Sequence, residues 1–417
     1  MLNISRPNAS ANPRKIAICG AGIGGLTLAI RLAELGHQTS VFERREEADI
    51  RSEGVFLTLA PNGMNGLKAV GCYDAVRGQG VETTGIEICN ARGKRLGYAD
   101  QADYERSYGA PSVTVSRRLL AGILIERARA VGVDLRFSTP LAILTSSTSG
   151  ARLEFADGAS FDADIVVGAD GLRSTVRGQI FPDYPAPHFT GLIGTGAITP
   201  TSVPSTRGTM RMTFGETAFF GYLIDAGQSA FWFTSYSAGS PSGEGTIDGM
   251  ARAERIRQMH AGDPEPNRTI LSTVDAVDRP YPIFDMPELP AWSKERVVLL
   301  GDAAHAVGPH AGQGASMAIE DALVLAACLQ TEADHRSAFR RYEDLRRPRI
   351  AQVVKLTARS SSQKRASGRW RLFIRDLILP IFIPLSIRAG RKLLSYRADE
   401  APLGLRTADT PRDVMRA

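Results

Sequence analysis

Residues 301–322 read GDAAHAVGPHAGQGASMAIEDA and lie between the apolar run Val297–Leu300 and a long apolar helical pattern. The order is strand, acidic strand end, glycine loop, helix. Open α/β sheets hold ligands in this way, in the crevice outside the carboxyl ends of their strands. Asp302 is the acidic residue at that end. Gly312 and Gly314, on either side of Gln313, let backbone approach a ligand closely. The helix start behind them offers unpaired N–H groups and positive dipole to an electron-rich group. From Ala303 to Ile319 no side chain carries a formal charge unless His305 or His310 is protonated. A large, mostly uncharged ligand with an electron-rich edge suits such a wall.

With 417 residues and 43% hydrophobic content, the chain exceeds one ordinary core and predicts two or three packed units. Cys19, Cys72, Cys89 and Cys328 are far apart and show no C-x-x-C or zinc spacing, so neither a disulfide framework nor a metal site is expected. The expected compartment is the reduced cytoplasm. The polar first fifteen residues predict no secretory signal. The net charge of +6 is concentrated: Arg336–Arg375 holds thirteen Lys or Arg against Glu343 and Asp344. A solvated helix face is the expectation there, ahead of nucleic acid or anionic lipid. Leu377–Ile387 is strongly apolar, but it is about half the length of a membrane span and contains Pro380 and Pro384. It predicts a packed terminal helix, with a partner surface or shallow membrane contact as alternatives.

Lys15–Gly20 is β-rich, Leu26–Leu35 has helical apolar spacing ending at Gly36, and His37–Phe42 is a second strand closed by Glu43. This is a β-α-β unit. The pattern continues with a helix over Leu57–Val70 opened by the Ala60-Pro61-Asn62 turn, a hairpin over Thr84–Tyr104, and a helix over Arg117–Val131. A hairpin over Arg152–Phe161 and a strand over Asp164–Gly168 follow. From Phe181 to Phe284 aromatic strands alternate with glycine and serine turns, predicting an antiparallel sheet from Thr209–Phe214, Ala218–Ile224 and Ser229–Tyr236. The α/β pattern resumes at Arg296, which makes this sheet an insertion. The expected architecture is α/β: a discontinuous Rossmann-like domain (14–80, 110–180 and 285–335), an inserted antiparallel β-sheet substrate domain (81–109 and 181–284), and a C-terminal helical segment (336–417).

Gly20-Ala-Gly22-Ile-Gly24-Gly25 lies between a strand and a helix, with Glu43 ending the next strand. These are the structural conditions of a dinucleotide fingerprint: tight turn, pyrophosphate on the helix start, carboxylate on a ribose. Glu43 disfavours a 2′-phosphate, leaving FAD or NAD at this site. Gly168-Ala-Asp170-Gly171-Leu-Arg173-Ser174 is a second acidic strand end, which alone reads as a common turn.

Together with residues 301–322, these three ordered motifs make the chain resemble the FAD-dependent aromatic hydroxylases, single-component flavoprotein monooxygenases similar to para-hydroxybenzoate and salicylate hydroxylases. The likeness covers most of Lys15–Arg347 and is weakest across the inserted sheet. It implies that the first glycine motif and Glu43 hold the ADP half of FAD, with Arg44 near the pyrophosphate and Arg117, or as the second choice Arg118, opening a helix toward the cofactor. Asp170 is implicated in binding FAD and the nicotinamide donor. Asp302 would bond the ribityl chain, Pro309 would lie near the ring, and the backbone of Gly312–Gly314 would face the pyrimidine edge. Many relatives carry asparagine where this chain has Ser316.

The implied chemistry is reduction of non-covalent FAD by NADH or NADPH, addition of O2 to form a flavin C4a-hydroperoxide, and oxygen transfer to an aromatic or electron-rich conjugated small molecule. A flavin oxidoreductase or epoxidase of the same fold is the nearest alternative, and a flavin-binding docking protein a more distant one. No serine triad, metal ligand set or paired carboxylates demand another mechanism. His305 and His310 suit loop packing better than ligation. For the substrate the sheet offers Phe219 and Phe231, with Met212, and Tyr222 together with Phe220 and Trp232 as the opposite-face alternative. No charge is evident at Phe219 or Phe231, which predicts an apolar or polycyclic substrate unless Arg211 points inward.

Overall fold

The computed structural model describes residues 13–52, 54–241, 247–278, 280–306, 308, 312–364, 376, 378–380 and 390–398. Its central sheet begins with β1 (Lys15–Cys19) and β2 (Gln38–Phe42), joined by α1 (Ile23–Glu34) and paired in parallel. β12 (Ile165–Gly168) pairs with β1 from the other side, and β19 (Val297–Leu299) pairs with β12, both in parallel. β8 (Asp134–Arg136) and β18 (Ser293–Lys294) complete the order β18-β19-β12-β1-β2-β8. Ile16, Ala17, Ile18, Ile165, Val166 and Val167 are all buried. Such continuous apolar runs belong to strands covered on both faces. Chain progression reverses between β1 and β12, and both motif-bearing strand ends point into the crevice at this switch point.

Two small sheets flank this core. One joins β3 (Phe56–Leu59), β7 (Ser112–Ser116) and β4 (Val81–Thr83). The other joins β9 (Leu141–Ser146), β10 (Ala151–Phe155) and β11 (Ser160–Ala163). The helix predicted from Leu57 is corrected: Phe56–Leu59 is a strand pairing with β7, and helix α3 (Pro61–Ala69) starts at the predicted turn. Pro61 occupies the first helical position, where its missing N–H has no intrahelical partner to lose. Short helices α2 (Glu47–Ser52), α4 (Tyr73–Gln79) and α5 (Tyr104–Tyr108) fill loops. α6 (Arg117–Ala130) packs beside α1, and α7 (Thr175–Ile180) follows β12.

The inserted sheet has the order β17-β13-β16-β15-β14-β5-β6, from β5 (Gly85–Asn90), β6 (Arg95–Asp100), β13 (His188–Pro200), β14 (Thr209–Phe214), β15 (Ala218–Ile224), β16 (Ser229–Ser237) and β17 (Tyr281–Asp285). It is antiparallel except at one junction, where β5 and β14 run parallel. The earlier β5–β6 hairpin joins the later meander there, so the reading of a purely antiparallel sheet is corrected at that pair. Helices α8 (Gly249–Met259) and α9 (Asn267–Ser272), absent from the sequence reading, cover one face.

α10 (Asp302–His305), α11 (Gly314–Thr331) and α12 (His335–Lys364) follow β19. The basic stretch is not simply a solvated helix face: Arg346 is 0% exposed and Arg349 6%. Residue 377 and residues 381–387 of the apolar run lie outside the described residues. No helix among the described residues is long and apolar enough to cross a membrane.

Candidate active site

The nucleotide end is built by β1 and α1. Gly20 takes φ +110, and a Cβ there would fall 2.4 Å from the Ala169 carbonyl oxygen. Gly24 and Gly25 face equally close neighbours, Leu300 and the Gly20 carbonyl, and so serve packing. Gly22 differs, because a Cβ on it would meet nothing within 4 Å. Glu43 is buried; it accepts from the Ala21 N–H at 2.9 Å and, through its other oxygen, from Arg45 N–H and Nε–H at 3.1 and 3.2 Å. A carboxylate offers about four acceptor positions, so one remains for a ribose hydroxyl. Arg44 is exposed; its neighbour Arg45 is the arginine paired with Glu43.

At the end of β12, Asp170 accepts from Ser174 Oγ at 2.5 Å and Val176 N–H at 3.1 Å, holding the start of α7. Burial raises its pKa, against the pull of those bonds. Arg177 ties this turn to the third motif by donating to the Ala303 carbonyl at 3.0 Å.

In the third motif Gly301 turns with φ +60 and Asp302 opens α10 as an exposed residue. The surrounding protein raises its carboxyl above the ordinary range, while His305 and Arg117 oppose the rise. Gly312 takes φ +61, and neither it nor Gly314 would bring a Cβ within 4 Å of any described residue. Gln313 is buried, its side-chain oxygen accepting from Asn62 at 3.1 Å. Pro309 and His310 lie outside the described residues. Ser316 is fully buried against Gly63, its hydroxyl without a partner. His305 packs on Trp292 and meets Asp321 at 2.6 Å, and among the described residues no three potential ligands gather around a metal position.

The sequence reading passed over the charges beneath this loop. Glu320 and Asp321 are both 0% exposed on α11. Arg346 reaches Glu320 at 2.7 Å and Asp321 at 2.6 Å, while Arg349 forks onto Glu320 at 3.0 and 2.7 Å. Burial alone would raise the Asp321 pKa, but His305 and Arg346 outweigh it and bring it to about 2. The available signal was a pair of adjacent acids in an otherwise apolar helix, matched by Arg346-x-x-Arg349.

Among the described helices of more than ten residues, the starts differ. α6 and α8 are capped by Ser116 and Asp248, and Asp334 accepts from the first N–H groups of α12. α1 and α11 have no side-chain cap, and both start beside the glycines that open onto free space. Two long helices with free N–H groups fit a ligand carrying a pyrophosphate at one end and an electron-rich ring edge at the other.

Facing this wall is the inserted sheet. Register places Met212, Phe214, Phe219, Phe231, Phe233 and Ser235 on one face. Phe56 of β3 meets Phe231 at 5.6 Å and Phe233 at 6.0 Å between ring centroids, and Leu379 packs with Phe214 and Phe219. Tyr281 lies over Gly194 on the same face. The charge of Arg117, at the start of α6, acts on both Tyr281 and Asp302. Tyr222 is corrected: it points to the opposite face with Phe220 and Trp232, beneath α8 and α9. Arg211 also faces away, 3.3 Å from Glu87.

A family model described as FAD binding domain matches residues 14–268 and 287–357. The chain is 32% identical over 342 residues to an aurachin C monooxygenase/isomerase of Stigmatella aurantiaca, covering 81% of this chain and 86% of that protein. It is 33% identical over 358 residues to a 3-amino-4-hydroxybenzoate 2-monooxygenase of Streptomyces cremeus, covering 84% and 87%. The fold matches that of Klebsiella pneumoniae HpxO complexed with FAD and uric acid, with TM-score 0.75, 23% identity, and coverage of 94% of this chain and 98% of that one. Fold and site thus define an FAD-binding flavoprotein. The chain belongs to the FAD-dependent aromatic monooxygenases, enzymes that use NADH or NADPH and O2. Bound FAD supplies hydride acceptance and oxygen activation, leaving the chain to bind, orient and exclude water.

Proposed function

We propose that the substrate is an uncharged, planar aromatic or polycyclic molecule, hydroxylated while lying on the face formed by Met212, Phe219, Phe231 and Phe233. One observation carries this reading: on β5, β14, β15 and β16, no residue of that face carries a formal charge. A carboxylate, such as the one in the name of the Streptomyces cremeus relative, would find no cation on these four strands, because Arg211 is turned to the far side. The corresponding division of the chain is a FAD-binding unit of 14–80, 110–180 and 285–335, a substrate unit of 81–109 and 181–284, and a helical region of 336–417.

FAD is proposed to lie from Gly20, Gly22 and Glu43 at its adenosine end, past the start of α1 with Arg44 and Arg117, to Asp302 at the ribityl chain and Gly312–Gly314 at the ring edge. Free N–H groups at the start of α11 favour the edge that becomes negative on reduction, easing hydride acceptance. Asp170, engaged with α7, supports the crevice; a direct bond from it to the nicotinamide donor is not required. The four cysteines are free thiols, in keeping with a cytoplasmic setting.

The test pairs uncharged bicyclic aromatics with their carboxylated analogues and scores stimulated NAD(P)H consumption and product mass. Gain of one oxygen on the uncharged member supports the reading; preference for carboxylates overturns it. Mass unchanged by turnover would favour simple oxidation. Asp302→Ala should lower FAD occupancy in the purified protein, and unchanged occupancy would remove Asp302 from the ribityl role.

A further inference from the structure

The buried charges beneath the glycine loop do more than balance one another. Asp321 accepts from the Gly301 N–H at 3.1 Å and meets His305 at 2.6 Å, gripping the residues on both sides of Asp302. At the far end of the loop, Asn62 donates through the same nitrogen to Gln313 at 3.1 Å and Glu320 at 2.7 Å. The two acids are adjacent on α11, and Arg346 spans them. Gly301 and His305 on one side, and Gln313 on the other, are therefore fastened to one buried unit. Its outer side reaches the C-terminal part of the chain: Arg349 donates to the Leu393 carbonyl at 2.6 Å and stacks on Tyr396 at 4.3 Å.

We propose that Asn62, Glu320, Asp321, Arg346 and Arg349 form a clamp of positioning residues that sets the geometry of the flavin-facing start of α11 relative to Asp302, and with it the relative affinity for oxidised and reduced FAD. The inference rests on the placement of the flavin edge at Gly312–Gly314. Its physical basis is the low tolerance of buried ion pairs for displacement. Two arginines and two carboxylates, all buried, hold their geometry strongly, since separating them strands a buried charge. The start of α11 at Gln313 and Gly314, held by such a unit, presents its N–H groups in one arrangement, which is what preorganised electrostatics requires. Asn62 is the link that can be cut while leaving the ion pairs intact.

Three variants test the clamp by FAD dissociation constant, flavin midpoint potential and melting temperature. Asn62→Ala should weaken FAD binding about tenfold and change the ratio of reduced to oxidised affinity about tenfold, which is about 30 mV for a two-electron couple. His260→Ala removes a buried polar side chain of the inserted sheet; it should lower the melting temperature and leave affinity and potential unchanged. Gly314→Val fills the open space at the start of α11 and should weaken FAD binding by more than Asn62→Ala. If Asn62→Ala loses stability as His260→Ala does, with affinity and potential within about twofold of the parent, the clamp is refuted. If Gly314→Val also binds FAD normally, the flavin placement itself fails and the clamp with it. Should Asn62→Ala not fold, Arg349→Lys keeps the charge but gives up the fork onto Glu320. It should produce the same shifts, and an unchanged affinity and potential would refute the clamp.

Discussion

The two faces of the seven-stranded sheet are built from alternate residues of the same strands and differ in almost every physical respect. On the covered face, Trp232 is 0% exposed, stacks with Phe220 at 6.0 Å and donates to Thr199 at 3.2 Å. Its polar groups are paired: Thr234 meets His260 at 2.8 Å, His260 meets Asp263 at 2.8 Å, and Asn267 donates to Asp263 at 3.0 Å. On the facing side, Met212, Phe231 and Phe233 are only partly buried, and the Ser235 hydroxyl is buried without a partner. A strand with period-two alternation thus serves stability with one parity and recognition with the other.

The most severe test of that division is Trp232→Ala. Removing a fully buried aromatic should cost about 3–5 kcal/mol of stability, measured by denaturant unfolding of the FAD-bound protein. The Michaelis constant for substrate should stay within about twofold of the parent, since the lost side chain faces away from the cleft. A Michaelis constant that rises as stability falls would mean that the covered face also shapes the pocket.

Phe231→Ala should show the reverse pattern. The ring is half-buried and meets Phe56 across the cleft, so its loss should raise the Michaelis constant about tenfold, equivalent to about 1.4 kcal/mol. The stability cost should be near 1 kcal/mol. Tyr222→Phe comes next in size. It deletes the hydroxyl that bonds Arg211 on the far face, which should cost about 0.5–1.5 kcal/mol and leave kinetics unchanged.

The same contrast explains what was legible in the residues alone. Gly20–Gly25 with Glu43, and the strand end at Asp302, were readable because local chain geometry imposes their residue types. So were the aromatic strands over 209–236, whose composition is strongly β-forming. β13 was not, because Gly191, Gly194 and Gly196 interrupt its apolar run to make room for packing that only the fold reveals, such as Tyr281 over Gly194. Tyr222 stays open as a pocket residue in the sequence because parity identifies two faces without saying which one α8 and α9 cover. Arg346 and Arg349 read as solvated charges because their partners lie 25 to 29 residues earlier, in a helix otherwise suited to a core.

Ser235 gives the smallest effect and the sharpest discrimination between the faces. A buried hydroxyl without a partner carries its desolvation cost with no compensating bond, so Ser235→Ala should leave the substrate-free protein unchanged or more stable by up to about 1 kcal/mol. On the covered face the outcome should be opposite: Thr234→Val strands the paired His260 ring nitrogen and should destabilise by about 1–3 kcal/mol. If the substrate presents a polar group to Ser235, the alanine variant will raise its Michaelis constant several-fold while the protein itself loses nothing. Comparing substrates with and without that polar group then identifies its position on the ring. Destabilisation by Ser235→Ala with no kinetic change would place Ser235 with the structural residues and confine recognition on this face to its apolar side chains.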